Sequence, residues 1–215
     1  MKNIKEYEDA FFNSLLDGNR LKCMKVMKEF RAQDLSIIKL YEEIFKKSLY
    51  RIGELWACNK INVSVEHMST NIIEGLMNEL LPEIMSYERI NKKIIISSVE
   101  NDQHEIGGKM VADIFEKNCW DTHFLGANVP IIDLVEFCNV VKPDVICLSL
   151  TIYKSVVVLI REITELREIT NIPIIIGGQA LRRVGFKLSR KFKDVFYLKD
   201  LEAIENYIKD YVYKV

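Results

Sequence analysis

The sequence predicts an α/β chain in two parts: an N-terminal four-helix bundle over residues 1–88, then a five-stranded parallel sheet wound with helices over residues 92–215. Three observations predict it. Apolar residues recur at helical spacing as far as Leu81, with no strand signal before Lys93. From Ile94 onward, five short apolar runs alternate with helical patterns, and parallel strands need such crossovers. Between the two parts, Pro82 to Lys93 turns polar and loses its periodicity, which marks the joint.

In the first part, Ile4, Tyr7, Phe11, Phe12, Leu15 and Leu16 line one helical face, and Gly18 stands where that helix stops. A second pattern, Leu21, Met24, Met27 and Phe30, ends near Asp34. The third is the longest, from Leu35 through Tyr41, Phe45 and Leu49 to Trp56. Ser64 is placed to N-cap a fourth helix with Met68, Ile72, Ile73, Leu76 and Leu80 on its apolar side. Four amphipathic helices with short joints pack as a bundle. The loop joining the last two has unusual residues at its ends: Trp56 before it, Glu66 and His67 after it. Read from the residues alone, Trp56 caps the bundle core and Glu66 complements the positive helix N-terminus. His67 is then a partly exposed first-turn residue.

The predicted strands are Ile94–Val99, His123–Leu125, Val145–Leu150, Ile172–Ile176 and Val195–Leu198. Their near-continuous apolar runs fit strands buried on both faces. The first empties into Glu100-Asn101-Asp102-Gln103-His104-Glu105-Ile106-Gly107-Gly108. Ligands of wound sheets sit outside the carboxyl ends of the strands, where this stretch falls. Gly107 and Gly108 are expected to let the backbone turn before the next helix. Two readings of Asp102 and His104 stay open. The imidazole binds a metal while its other nitrogen donates to the carboxylate, or the pair is a turn residue and a surface imidazole. Gly126-Ala127-Asn128-Val129-Pro130 follows the second strand, Ser149 and Thr151 the third, and Gly177-Gly178 the fourth. The hydroxyls and the bare backbone there suit a polar or planar ligand, and equally suit ordinary turns.

Charge excludes one class of partner. With 30 Lys and Arg against 31 Asp and Glu, the chain has no basic excess, and direct nucleic-acid binding is not expected. Arg182-Arg183 and the Lys187–Lys191 cluster read as a solvated helix face. The five cysteines form no C-x-x-C pair, and Cys138 and Cys147 stand in apolar surroundings that suit small core residues. A reduced, cytoplasmic compartment is the expectation. The N-terminus has no apolar signal core and no window reaches the length of a membrane span, so no membrane partner is expected.

Asp102-x-His104-x-x-Gly107 resembles the D-x-H-x-x-G signature of cobalamin-binding domains. Ser149-Leu150-Thr151 follows where that family has S-x-L, and Gly177-Gly178 where it has a glycine pair. The resemblance spans the second part of the chain and implies a Rossmann/flavodoxin-like fold with cobalamin as cofactor. It implies His104 as the lower cobalt ligand, Asp102 as its partner and Gly107 beside them. The loop through Val129 faces the corrin, and Ser149, Thr151, Gly177 and Gly178 line the slot for the nucleotide tail. Thr151 departs from the family leucine, which alters the packing of that slot. Trp56, nine residues, then Glu66-His67 resembles the helical cap of light-sensing adenosylcobalamin regulators of the CarH type. There the Trp, Glu and His surround the adenosyl group. Adenosylcobalamin is therefore favoured, with methylcobalamin as the alternative.

Three function classes follow. The favoured one is a cobalamin-binding sensor, photoreceptor-like, acting through a regulatory partner or through homo-oligomerisation. The alternative is a corrinoid methyl carrier serving a methyltransferase, whose caps usually show a P-E-V-type segment where Val65-Glu66-His67 stands. The third is a storage or delivery protein. No nucleophile–base constellation appears beyond the cofactor site, so independent catalysis is not expected. CarH-type regulators carry a DNA-binding helix-turn-helix ahead of the cap. Here the cap begins near Met1, hence the expectation of an indirect output. Those sensors also have a histidine after the Trp, and Ala57 in its place has no donor to offer.

Overall fold

The computed structural model describes residues 2–213, and the chain divides into two compact units, Met1–Pro82 and Glu83–Val215. The first unit is helical. Helix α1, Ile4–Leu16, starts on a capping box in which the Asn3 side chain accepts from the Glu6 amide at 2.9 Å and Glu6 accepts from the Asn3 amide at 2.7 Å. Gly18, at φ +65°, turns the chain into α2, Arg20–Arg31. The long third helix is continuous but not uniform: α3, Ile37–Leu40, passes into a π-helical stretch, Tyr41–Lys46, and then α4, Lys47–Ala57. Apolar spacing alone does not separate α from π geometry over so short a run. Helix α5 is Val63–Glu79, and α6, Leu81–Ile84, is a single turn that runs into the start of the stretch read as the joint. Asn62, not Ser64, caps α5: its side chain accepts from the Val65 amide at 3.1 Å, two residues earlier than expected. Phe11, Leu15, Phe30, Tyr41, Phe45 and Ile73 are buried together in the core of this unit, with the rings of Phe11 and Phe45 5.2 Å apart.

The second unit is a wound sheet. Its elements are β1 Lys93–Ser98, α7 Ile106–Lys117, β2 Asp121–Phe124, α8 Ile131–Val141, β3 Val145–Ser149, α9 Val156–Ile169, β4 Ile174–Gly177, α10 Gly185–Lys191, β5 Val195–Tyr197 and α11 Leu201–Tyr213. All strands are parallel, in the order β2-β1-β3-β4-β5. This is the flavodoxin-like order, and the order in which strands are added reverses between β1 and β3, the switch point where such sheets take ligands. Ser98 pairs with Ser149 and Ser149 with Gly177, so the carboxyl ends of three strands finish level with one another. Beneath that edge lies a dry core that includes Ile95, Ile146, Leu148, Ile163 and Ile176. Cys138 and Cys147 belong to the buried set, and burial pushes their thiols up to about 11 and about 12. They act as small apolar residues. No helix among the described residues is long and apolar enough to cross a membrane.

Candidate functional site

Asp102 is the centre of the site. It is fully buried, and its backbone amide donates to the Val99 carbonyl at 2.9 Å, which turns the loop sharply after β1. One carboxylate oxygen accepts from the His104 amide at 3.1 Å and meets the His104 ring Nδ1 at 2.7 Å. The other accepts from the Thr151 amide at 2.6 Å. Asp102 therefore spans the β1/β3 switch point with both oxygens. Burial by itself raises this carboxyl. The His104 ring and the amides of Thr151 and His104 outweigh that and hold it below the usual carboxylate range. An ionised Asp102 fixes the His104 proton on Nδ1, which directs Nε2 toward metal binding. The His104 side chain is 43% exposed, so the ring stands at the rim with its carboxylate anchor sealed below. Among the described residues no three His, Cys, Asp or Glu side chains group into a metal cage.

The flanking loops are tied to it. Asn101 and Asn128 both take left-handed backbone (φ +67° and +54°), which Asn tolerates better than most residues. The Asn101 amide donates to the Asn128 side chain at 2.9 Å, and the Asn128 amide donates to the Asp102 carbonyl at 3.1 Å. The Ser98 hydroxyl donates to the His104 carbonyl at 3.0 Å. Glu100 accepts from Arg161 at 2.8 Å, while its own amide donates to the buried Glu162 at 2.7 Å. The sequence reading assigned no role to Asn128, Glu100 or Glu162. Glu162 had a signal: it falls on the buried face of α9 with Leu159, Ile163 and Leu166, where a carboxylate breaks the apolar pattern.

The glycines act differently from expectation. Gly107 and Gly108 lie inside α7 and form no turn. A Cβ on Gly108 would approach the Phe124 ring to 3.1 Å, and one on Gly107 would meet the Ser149 hydroxyl at 3.7 Å. They let the first turn of α7 lie close on the sheet. Gly178, at φ +108°, has a stricter task, since a Cβ there would fall 2.2 Å from the Leu150 carbonyl oxygen. Gly177 ends β4 beside Ser149, with the Leu198 carbonyl 3.4 Å from its Cβ position. Ser149 is buried beneath α7, and Thr151 contributes its backbone amide to Asp102. Val129 packs against the sheet core, not outward. The structure thus brings Asp102, His104, Gly107, Ser149, Thr151, Gly177 and Gly178 to one edge of the sheet.

Trp56, Glu66 and His67 belong to the helical unit. Trp56, in the last turn of α4, is 44% exposed and does not cap a core. His67 has a side chain 70% exposed, its Nε2 3.5 Å from Glu66. It lines an open hollow of about 510 Å³ with Gly18, Arg20, Ser64, Met68 and Asn71, a hollow that Trp56 does not border.

Comparison with known proteins gives consistent matches for both units. A family model described as a B12 binding domain matches residues 92–197, and a second with the same description matches residues 7–81. Dimethylamine corrinoid protein 1 of Methanosarcina acetivorans is 31% identical over 154 residues, covering 67% of this chain and 70% of that protein. The HTH-type transcriptional repressor CarA of Myxococcus xanthus is 24% identical over 156 residues, 70% of this chain and 53% of the repressor. Methionine synthase of Mycobacterium tuberculosis is 23% identical over 151 residues, yet the chain spans only 13% of that enzyme's length. The solved monomethylamine corrinoid protein of Methanosarcina barkeri shares the fold, with a TM-score of 0.79, 17% identity and coverage of 96% of this chain and 99% of that one.

Proposed function

The chain belongs to the corrinoid proteins built on B12 binding domains, with cobalamin as cofactor, and from that premise we propose that it is a methyl carrier serving a partner methyltransferase. The residues present fit the cofactor. His104 offers one imidazole nitrogen, its other nitrogen held 2.7 Å from a buried carboxylate, which is the donor set a single axial ligand requires. Gly178 keeps the end of β4 clear of side chains where its Cβ would strike Leu150. In this reading His104 would hold the cobalt through Nε2, and Asp102 would keep the ring in that tautomer. Ser149, Thr151, Gly177 and Gly178 would line the slot for the nucleotide tail, with Gly107 beside His104 and the loop through Val129 toward the corrin. Bound cobalamin supplies a cobalt centre able to accept and release a methyl group; the protein's part is to bind it, orient it and control its axial ligand.

The likeness to a dimethylamine corrinoid protein supports the carrier reading over the photoreceptor expected from Trp56, Glu66 and His67, and it becomes the main one. The sensor reading keeps one specific support: the Trp56–Glu66–His67 spacing, with a transcriptional repressor among the relatives. Parallel titrations with methyl- and adenosylcobalamin separate the two. A carrier takes up methylcobalamin at least as tightly and exchanges its methyl group with a methyltransferase. Strong preference for the adenosyl form, with a light-dependent change of oligomeric state, would reverse the order.

A further inference from the structure

Glu162 stands behind the site, on α9, with no place in the ligand scheme. Its side chain is buried at mid-helix among Leu159, Ile163 and Leu166, where a leucine would pack without cost. Burying a carboxyl there is expensive unless a specific bond requires it. Glu162 makes one such bond: its Oε1 accepts from the Glu100 amide at 2.7 Å, while Oε2 is buried with no partner among the described residues. Glu100 is the residue at which the chain leaves the sheet toward Asp102. Its own carboxylate reaches Arg161 at 2.8 Å and the Ile131 amide at 3.4 Å, so the loop is tied to both α8 and α9. The Glu162 carboxylate that holds the Glu100 amide is itself buried, whereas the Arg161 pair is exposed and weakened by screening.

We propose that Glu162 is a positioning residue for His104: by holding the Glu100 amide it fixes where the loop departs from β1, and with it the Asp102–His104 pair. The inference about cobalt ligation rests on the corrinoid reading, whereas the inference about the loop does not. The charged groups acting on Glu162 are Glu100 from the loop, and Arg161 and Glu165 from its own helix; burial is the larger influence and drives the carboxyl toward its neutral form. A neutral carboxyl still accepts the Glu100 N–H, so an amide side chain should replace it.

The experiment compares wild type, Glu162→Gln and Glu162→Leu. Gln retains the acceptor, and Leu fills the space without one. In apoprotein, amide hydrogen exchange is followed at Glu100, His104 and Thr151, with Ile146 and Ile174 in the sheet as internal controls. Glu162→Leu should speed exchange at the three loop amides about tenfold while the controls hold, and Glu162→Gln should restore protection. After loading with cobalamin, the absorption spectrum should show weakened nitrogen ligation in Glu162→Leu alone, by roughly tenfold in affinity. Loop amides that stay as protected as in wild type, or that loosen only in step with Ile146 and Ile174, would overturn the proposal. Selective loosening in a protein that takes up no cobalamin would support the positioning role and refute the corrinoid reading instead.

Discussion

Replacing Asp102 with Asn tests the centre of the site. The carboxylate serves two sets of donors with two oxygens: the His104 ring and amide on one side, the Thr151 amide on the other. Asparagine has one oxygen, so one side must face an NH2 group. If that side is the ring, Nδ1 becomes an acceptor and the ring proton moves to Nε2, which removes the lone pair needed for a metal. If it is Thr151, a strong bond across β1 and β3 becomes a donor–donor clash. Each bond to a charged partner contributes about 1.5–3 kcal/mol, so the variant should lose about 2 kcal/mol in urea unfolding of the apoprotein. Histidine ligation, read by absorption during cobalamin titration, should weaken about 10- to 100-fold. The pH dependence has a definite sign. The folded carboxyl lies below its unfolded value, so its stabilisation is complete above the unfolded pKa of about 3.9 and is lost as pH falls through the folded one. The gap between wild type and variant should therefore be full at neutral pH and close in acid. Unchanged ligation in a folded Asp102→Asn protein would refute the role of Asp102 in selecting the tautomer.

Glu162 should behave oppositely. Burial raises its carboxyl to about 7, so the folded chain holds a proton that the unfolded chain releases from about pH 4.5; stability falls as pH rises through that window and then levels. Glu162→Gln escapes the fall and should gain on the order of 3 kcal/mol relative to wild type at pH 8 in chemical unfolding, with little difference at pH 4. Gly178→Ala forces a Cβ against Leu150 at a φ few side chains adopt, and should cost on the order of 3 kcal/mol or prevent folding, as seen in the urea midpoint. Trp56→Ala and His67→Ala should each change stability by only about 0.5 kcal/mol, since both side chains face solvent; any larger effect on cobalamin affinity then marks a role toward the cofactor.

The sheet was legible because buried parallel strands leave continuous β-branched runs, as at Ile94-Ile95-Ile96 and Ile174-Ile175-Ile176. Its strand order was not read, because order depends on which crossover folds to which side. The Asp102–His104 pairing was legible because the two residues are neighbours in sequence and bond within one turn. What escaped notice acts across long separations. Thr151 meets Asp102 through a backbone amide, which leaves no trace in residue type. Asn128 and Glu162 reach the same loop from after β2 and from α9. Gly108 and Gly178 looked like turn formers, yet one sits within a helix and the other is required by a neighbouring backbone. The cap of α5 fell to Asn62 and not Ser64 because both residue types cap well and stand two apart.

The division of labour between the two units bears on which function the chain has. The α/β unit offers one imidazole, one buried carboxylate and a set of backbone contacts. A carrier and a sensor can share it without change. Discrimination must come from residues outside it, and in this sequence the sensor-like ones are Trp56, Glu66 and His67 alone. Two of these are exposed, and Ala57 replaces the histidine that would follow the Trp in a CarH-type sensor. An exposed indole and imidazole are equally suited to meeting a partner protein that must reach the cofactor, which a methyl carrier requires. The same three residues therefore acquire opposite meanings under the two readings, and one measurement separates them. In a carrier, Trp56→Ala and His67→Ala should slow methyl exchange with the methyltransferase while cobalamin affinity is retained. In a sensor, they should weaken adenosylcobalamin binding itself, with methylcobalamin binding unaffected.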